Sequence, residues 1–149
     1  MYQVRGEVPE GEYTIPIGKS KVQRAGKDVT IVTYCKGLEL SMKAADELSK
    51  QGVEVEVVDL RTLRPLDMEP VIESFKKTNR AVVVEEGWTS YGVGSEIVSR
   101  IYEEAFDYVD APIIRVAQKE VPLPYNRTLE QAALPQVADI TAAVKEVLK

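Results

Sequence analysis

The chain has 149 residues with 19 basic and 24 acidic side chains, which gives a formal net charge of −5. A hydrophobic fraction of 44% and a charged fraction of 29% are typical of one globular domain and exclude intrinsic disorder of the whole chain. The acidic balance argues against nucleic acid as a partner, and no apolar run approaches the ~20 residues of a membrane span.

The amino-terminal segment differs in composition from the rest of the chain. Residues 1–14 hold two glycines, one proline and four charged residues, and they show no hydrophobic period. Such a segment predicts a linker or arm, so the folded domain is expected to span residues 15–149. A chain that begins in a linker is expected to be a piece of a longer one.

The domain itself alternates predicted strands with predicted helices. Short segments rich in β-branched residues alternate with segments whose apolar residues recur at helical spacing. The predicted strands are Gly18–Ala25, Asp28–Cys35, Val53–Leu60, Arg80–Glu85 and Pro112–Val116. The predicted helices are Gly37–Gln51, Met68–Lys77, Val93–Ala105 and Gln136–Leu148. This alternation predicts a parallel sheet covered on both faces, with the weak first strand at an edge or antiparallel.

Local signals indicate how some of these elements begin and end. Gly52 occupies the position of a helix C-cap glycine, Asp67 can cap the second helix, and Pro70 fits in the first turn of that helix. Lys119–Pro135 lacks a periodic pattern, and we predict an irregular loop there. Loops of this length are often functional, and we expect contact with a partner there more than chemistry.

One candidate site lies at the carboxyl ends of the predicted strands, where open α/β sheets bind their ligands. Arg61 and Arg64 follow one strand and can clamp an anion, with pairing to nearby acids as the alternative. Glu85 and Glu86 point to opposite faces of another strand, which predicts one solvated glutamate and one paired with a base or a helix end. Gly92–Ser95 begins the third helix, and the lack of a third glycine favours a tight turn over a phosphate site. The possible ligand crevice comprises Arg61, Arg64, Glu86, Gly92, Gly94 and Ser95.

Composition excludes several kinds of catalysis. The sequence has no histidine, which excludes Ser-His-Asp and Cys-His catalysis and imidazole-ligated zinc. Its single cysteine, Cys35, cannot form an intrachain disulfide, and this fits a reducing cytosol. With no histidine to activate it, Cys35 is predicted to be a small core thiol. No motif for a phosphate loop, a zinc site or a serine nucleophile occurs, so we assign this chain no catalytic, cofactor-binding or metal-binding residue.

An acidic and aromatic segment stands out near the predicted last strand. Tyr102–Asp110 carries four negative charges and no positive one, together with three aromatic residues. Acidic residues alone are typical of a solvated helix end, whereas aromatic residues among them favour a protein interface. A basic partner would be steered to such a segment.

Five segments together resemble one protein family. They are VPEGEYTIPIGKSKVQRAGKDVTIVTY (8–34), VEVVDLRTLRPLD (55–67), KKTNRAVVVEEGWTSYGVGSEI (76–97), DAPIIRV (110–116) and VPLPYN…LEQAALPQVADI (121–140). In order and spacing they are similar to the carboxy-terminal domain of the beta subunits of thiamine-diphosphate-dependent 2-oxo acid dehydrogenases of the pyruvate dehydrogenase type. These domains belong to the wider transketolase C-terminal domain family.

The resemblance implies a fold and a division of labour. It implies a three-layer α/β/α sandwich around a mostly parallel sheet of five strands, the first of them antiparallel. It also implies that an upstream domain supplies the glutamate that activates the thiamine ring and a histidine. The alpha subunit would supply the ligands of the diphosphate and of magnesium. Thiamine diphosphate and magnesium are therefore expected in the complete enzyme, an oxidoreductase, and not on this domain alone.

The resemblance further implies partners. In the family this domain holds a second beta subunit, joins the alpha subunit and docks onto the basic peripheral-subunit-binding domain of dihydrolipoamide acyltransferase. The acidic residue that precedes the Ala-Pro of the last strand corresponds to Asp110, and the terminal carboxylate of Lys149 is expected nearby. A terminal lysine departs from the apolar or amide ending of the family. The predicted partner-binding residues are Asp110, Asp107, Glu103, Tyr108 and Lys149.

Several alternatives stay open from the sequence. The VPLPY segment at 121–125 resembles pyruvate-type beta subunits, with branched-chain 2-oxo acid and acetoin dehydrogenases as alternatives. A small-ligand-binding or regulatory domain that uses the carboxyl-end crevice is an alternative of another class. The expected compartment is the cytoplasm of a bacterium or archaeon, with the mitochondrial matrix or a plastid as alternatives.

Overall fold

A computed structural model describes residues 6–149 of the chain. The strands are β1 (Lys21–Arg24), β2 (Val29–Thr33), β3 (Val55–Asp59), β4 (Ala81–Trp88) and β5 (Ile114–Gln118). The helices are α1 (Lys36–Ser49), α2 (Glu69–Thr78), α3 (Val93–Ala105), α4 (Arg127–Ala133) and α5 (Val137–Val147). A short 3₁₀ turn, Phe106–Tyr108, follows α3. None of the helices within residues 6–149 has the length and apolarity needed to cross a bilayer.

The strands form one sheet of five in the order β1-β3-β2-β4-β5. β1 runs antiparallel to β3 at one edge, and all other neighbours are parallel. The predicted mixed sheet, with its first strand antiparallel, is therefore confirmed. Because each crossover must return the chain to the starting end of the sheet, a helix follows each of the strands β2, β3 and β4.

Two hydrophobic cores lie on opposite faces of the sheet. The first joins the sheet to α1 and α5 and includes Leu48, Ile140 and Val144, all fully buried. The second joins it to α2 and α3 and includes Phe75, Ile97 and Ile101, also fully buried. All residues of β2 and β3 are buried, which agrees with their high content of β-branched residues, and the buried set includes the polar Thr30, Thr33, Glu56 and Asp59. The predicted three-layer α/β/α sandwich is confirmed.

A chain of buried hydroxyl groups connects the second core to the central strand. The Thr30 hydroxyl of β2 lies 2.6 Å from Ser74 Oγ and 2.8 Å from Thr78 Oγ1, both on α2. Thr78 Oγ1 also lies 3.2 Å from the Ser74 carbonyl and 3.1 Å from the Arg80 carbonyl. These hydrogen bonds satisfy polar groups that apolar side chains surround, so they fix the position of α2 against β2.

The helix ends confirm some predictions and correct others. Gly52 has the left-handed φ of 84° expected after α1, and Pro70 lies in the first turn of α2. Asp67 does not cap α2: its Oδ2 accepts a hydrogen bond from the Ser20 amide at 3.1 Å. Tertiary contact with the segment before β1 therefore outweighs the local capping preference of that aspartate.

Three other boundaries also differ from the predictions. The predicted irregular loop 119–135 contains α4, whose side-chain cap is Asn126 Oδ1 with amide donors Thr128 and Leu129 at 3.0 and 3.3 Å. Only Ala133 of this helix is buried, so its sequence carries no apolar period. Strand β4 continues to Trp88 and β5 to Gln118, beyond the predicted ends.

Most of the predicted arm can be compared with the structure. Residues 6–17 are exposed and form neither helix nor strand. Residues 1–5 of the predicted arm lie outside the described residues.

We expect Thr30→Val to lower the free energy of unfolding by about 1–3 kcal/mol, because the buried hydroxyls of Ser74 and Thr78 would lose a partner. Urea denaturation measures the change. Thr141→Val is the matched control, since its buried hydroxyl makes no hydrogen bond within residues 6–149. A control that loses as much stability as Thr30→Val would contradict the role of the hydroxyl network.

Candidate functional sites at the two ends of the sheet

The predicted crevice residues lie where the parallel strands end. Arg61 and Arg64 follow β3, Glu86 lies in β4, and Gly92–Ser95 forms the start of α3. The neighbour of Glu86 in the sequence, Glu85, makes the main contacts of this region. It is only 1% exposed, whereas Glu86 is half-buried.

Glu85 binds the beginning of α3 within its own chain. Its Oε1 accepts a hydrogen bond from the Gly94 amide at 3.1 Å, and its Oε2 lies 3.5 Å from the Tyr34 hydroxyl. A Cβ atom at Gly92 or Gly94 would lie 2.6 or 2.5 Å from Oε1. Both glycines are therefore required for the close approach of this carboxylate. The expectation that one of the two glutamates pairs with a helix end is confirmed, as is the tight turn.

The negative charge of Glu85 also affects the pKa of Tyr34. Burial, together with the nearby negative charge of Glu85, raises the pKa of Tyr34 to about 12. A carboxylate at the amino end of a helix is stabilised by the unpaired amides and the helix dipole. Glu85 thus already occupies the position that a bound phosphate would need.

Arg115 of β5 makes further contacts at this end of the sheet, and the sequence analysis did not include it among the candidate residues. Its Nη1 atom donates to the Thr89 carbonyl at 2.6 Å and to Ser95 Oγ. Ser95 of the predicted crevice is thereby engaged by β5. A lone arginine in a strand otherwise made of apolar residues was the available signal, since a cation in such a position needs a partner.

The two arginines after β3 do not form the ion pairs with nearby acids that the sequence analysis gave as the alternative to an anion clamp. Arg61 has a left-handed φ of 57°, and its amide donates to Asp59 Oδ1 at 3.1 Å. Arg64 is exposed. Among the ion pairs within residues 6–149, none involves either guanidinium, so the expected pairing with nearby acids is not formed there.

The prediction of a core thiol for Cys35 is wrong. Its side chain is exposed, because β2 ends at Thr33 and Cys35 lies in the turn before α1 with a φ of 51°. Within residues 6–149, no three His, Cys, Asp or Glu side chains are grouped closely enough to hold a metal ion.

The predicted partner-binding residues lie at the opposite, amino end of the sheet. Asp110 precedes β5, and Arg80 directly precedes β4. The Asp110 carboxylate lies 3.4 Å from Arg80 Nη1, and its amide donates to the Asn79 carbonyl at 3.1 Å. Its side chain remains 48% exposed. Asp110 is therefore held in place on one side and open to solvent on the other.

The other members of this group extend the surface along α3. Glu103 accepts a hydrogen bond from Ser99 Oγ at 3.1 Å, and Asp107 and Tyr108 are exposed in the 3₁₀ turn. Lys76 Nζ lies 5.5 Å from the centre of the Tyr108 ring. The segment lacks positive charges in the sequence, but the fold brings Lys76 of α2 and Arg80, the residue before β4, beside it. The surface is therefore mixed in charge.

The chain terminus belongs to the same end of the molecule. Lys149 pairs with Glu146 on α5. Its neighbour Leu148 lines a cavity of about 430 Å³ together with Arg80, the partner of Asp110. We call Glu103, Asp107, Tyr108, Asp110 and Lys149 the amino-end surface.

We expect Glu85→Gln to lower the free energy of unfolding by about 1–3 kcal/mol, because a buried charge-assisted hydrogen bond to the helix amide is weakened. Chemical denaturation checks this value. The matched control is Glu86→Gln at the half-buried neighbour, for which we expect a change below about 0.5 kcal/mol. Equal effects of the two variants would contradict the assigned role of Glu85.

Tyr34 makes stability sensitive to alkaline pH. Its hydroxyl has a pKa near 10 in the unfolded chain and about 12 in the folded chain. The neutral hydroxyl therefore makes its full contribution to the free energy of unfolding below pH 10, and this contribution is lost as the pH rises to about 12. The difference in unfolding free energy between the wild type and Tyr34→Phe should therefore fall over that range. A difference that stays constant with pH would argue against this assignment.

Comparison with known proteins identifies relatives over nearly the whole chain. A family model described as the transketolase C-terminal domain matches residues 18–140. The pyruvate dehydrogenase E1 component subunit beta of Rhizobium meliloti is 50% identical over 148 residues, which cover 99% of this chain and 32% of that protein. The mitochondrial counterpart of Dictyostelium discoideum is 47% identical, with coverage of 98% of this chain and 41% of that protein.

A solved structure has the same fold. A split-gene transketolase, described as an inactive beta4 tetramer, is 29% identical with a TM-score of 0.78 and covers 96% of this chain and 45% of that one. The chain thus spans less than half the length of these relatives. Because the family model matches most of the chain and the sheet has the expected mixed order, the chain belongs to the transketolase C-terminal domain family.

Proposed function

We propose that this chain is the assembly and docking domain of the beta subunit of a 2-oxo acid dehydrogenase, with pyruvate as the substrate of the whole enzyme. The observation that carries the proposal is the state of Asp110. Its carboxylate is half-exposed and lies 3.4 Å from Arg80 Nη1, and its backbone amide donates to the Asn79 carbonyl. A carboxylate held in this way is ready to accept a cation from a partner without a large loss of side-chain entropy.

The proposed partner is the small basic peripheral-subunit-binding domain of the acyltransferase. The acids of the amino-end surface would attract it, and the exposed rings of Tyr108 and Phe106 would supply contact area. A second beta subunit and an alpha subunit are the other proposed partners. The relatives are pyruvate dehydrogenase subunits from bacteria and mitochondria, and we propose the bacterial or archaeal cytoplasm as the compartment.

Catalysis in this proposal is carried by parts of the enzyme beyond this chain. Thiamine diphosphate and magnesium would require a diphosphate site and metal ligands, and the described residues do not fit them. Glu85 occupies the amino end of α3, and no metal-ligand group is present within residues 6–149. The same occupation disfavours the alternative of a small-ligand domain that binds an anion there.

We expect Asp110→Ala to weaken binding of the isolated basic domain by about 2 kcal/mol, or about thirtyfold in Kd, because the partner's cation would be left unpaired. Calorimetric titration at low and moderate salt measures this, with binding weaker at moderate salt. Asp46→Ala is the matched control, since Asp46 is an exposed aspartate paired with Arg24 elsewhere on the molecule. An unchanged Kd for Asp110→Ala would count against the proposed site, and no binding at low salt would count against docking by this chain.

A further inference from the structure

A cavity of about 540 Å³ lies beside strand β5. Residues of β5 form one wall, and residues 131–136 with the first turns of α5 form the other. The Lys119 amide joins the walls by donating to the Ala133 carbonyl at 2.9 Å, and the Gln136 side-chain amide donates to two carbonyls of the turn at 3.0 Å. Cavities of about 300–1,000 Å³ with walls formed in advance are typical of small-molecule sites.

Small apolar side chains leave this space open. Ile114, Val116 and Leu134 contribute larger apolar surface to the walls, and the remaining apolar surface comes mostly from alanines. Because an alanine side chain is a single methyl group, the walls do not fill the gap between β5 and α5. A short aliphatic chain can pack there, and each buried methylene would stabilise its binding. The alanines are Ala117, Ala132, Ala133, Ala142 and Ala143.

The cavity also carries two cations that have no acidic partner. Arg115 is partly buried, and its Nη1 atom donates to two uncharged acceptors, the Thr89 carbonyl and Ser95 Oγ. Thr89 and Arg115 both line the cavity, so the guanidinium lies at its wall. Lys119 lines it as well, and neither cation forms an ion pair within residues 6–149. The other nitrogen atoms of the guanidinium remain available as donors.

The acid among the lining residues is Asp139, and its carboxylate is already engaged. Its Oδ2 atom accepts a hydrogen bond from the Gln136 amide at 2.9 Å, at the start of α5, where the helix dipole favours a negative charge. Two cations therefore face one carboxylate, which leaves a positive charge unmatched in a chain whose net charge is −5. A partly buried charge in this state is stabilised by an opposite charge on a ligand.

We infer that this cavity binds a small aliphatic carboxylate, with the charged group at Arg115 and Lys119 and the carbon chain against the alanines. A carboxylate carries a single negative charge, which matches the unpaired positive charge, and its two oxygens fit the planar guanidinium. A phosphate dianion would exceed that charge. The site is separate from the start of α3, where Glu85 occupies the Gly94 amide, and from Asp110 at the other end of the sheet. Binding here would therefore be independent of the proposed docking.

The first test is a titration of the chain with acetate, butyrate and hexanoate at constant ionic strength, followed by proton–nitrogen NMR spectroscopy. We expect the amide signals of Ala117, Lys119 and Ala132 to shift, and the Kd to fall about fourfold for each methylene that is buried. Chloride and inorganic phosphate are the comparison anions, and we expect neither to produce these shifts. A lack of localised shifts with every carboxylate, or equal shifts with phosphate, would overturn the inference.

The second test removes the charge at the cavity. Lys119→Gln keeps the backbone contact with Ala133 and should raise the Kd for hexanoate at least about threefold. The matched control is Lys50→Gln, an exposed lysine at the end of α1 that forms no ion pair within residues 6–149, and it should leave the Kd unchanged. Equal effects of the two variants would mean that the anion is attracted by overall charge, and this would overturn the site.

The third test fills the apolar end. Ala132→Leu should raise the Kd for hexanoate about tenfold, because the larger side chain takes the space of about two ligand methylenes. The matched control is Ala138→Leu, an exposed alanine on α5 that does not line this cavity, for which we expect no change. Circular dichroism and thermal unfolding establish that both variants are folded. A folded Ala132→Leu chain that binds hexanoate like the wild type would place the ligand elsewhere and overturn the inference.

Discussion

Burial of the central strands on both faces is the constraint on which the rest of this molecule depends. β2 and β3 have no exposed residue, and the first five residues of β4 are buried as well. Each face must therefore be covered by helices, and the chain must cross over the sheet between parallel strands. The buried hydroxyls that connect Thr30 to α2 and the carboxylate that connects Glu85 to α3 are the polar contacts that position two of these helices.

The same constraint separates the two candidate sites. Parallel strands place all the turns that follow them at one end of the sheet and all the turns that precede them at the other. At the carboxyl end, Glu85 accepts a hydrogen bond from the Gly94 amide and Arg115 donates one to Ser95 Oγ, both within the chain. At the amino end, Asp110 keeps a solvent-facing side despite its contact with Arg80. A half-exposed carboxylate that already contacts Arg80 is therefore available to a partner at the amino end, which supports the proposed docking role.

The two edges of the sheet differ in a related way. β1 is short, antiparallel and irregular in register, so it offers few groups for a further strand. β5 is regular along its contact with β4 from Ile114 to Val116, and its outer side lies beside a cavity.

The sequence by itself determined the order and type of the main elements, since β-branched runs and apolar periods are local properties that the core requires. It also predicted the turn at Gly92–Ser95. Only the tertiary structure decided which groups those residues meet. The exposure of Cys35, the contact of Asp67 with Ser20, and the cations beside the Tyr102–Asp110 segment all depend on residues distant in the chain. Helix α4 was missed because it buries one residue and so has no apolar period. Local periodicity reports which residues face a core, whereas partners across the fold are set by the packing of separate elements.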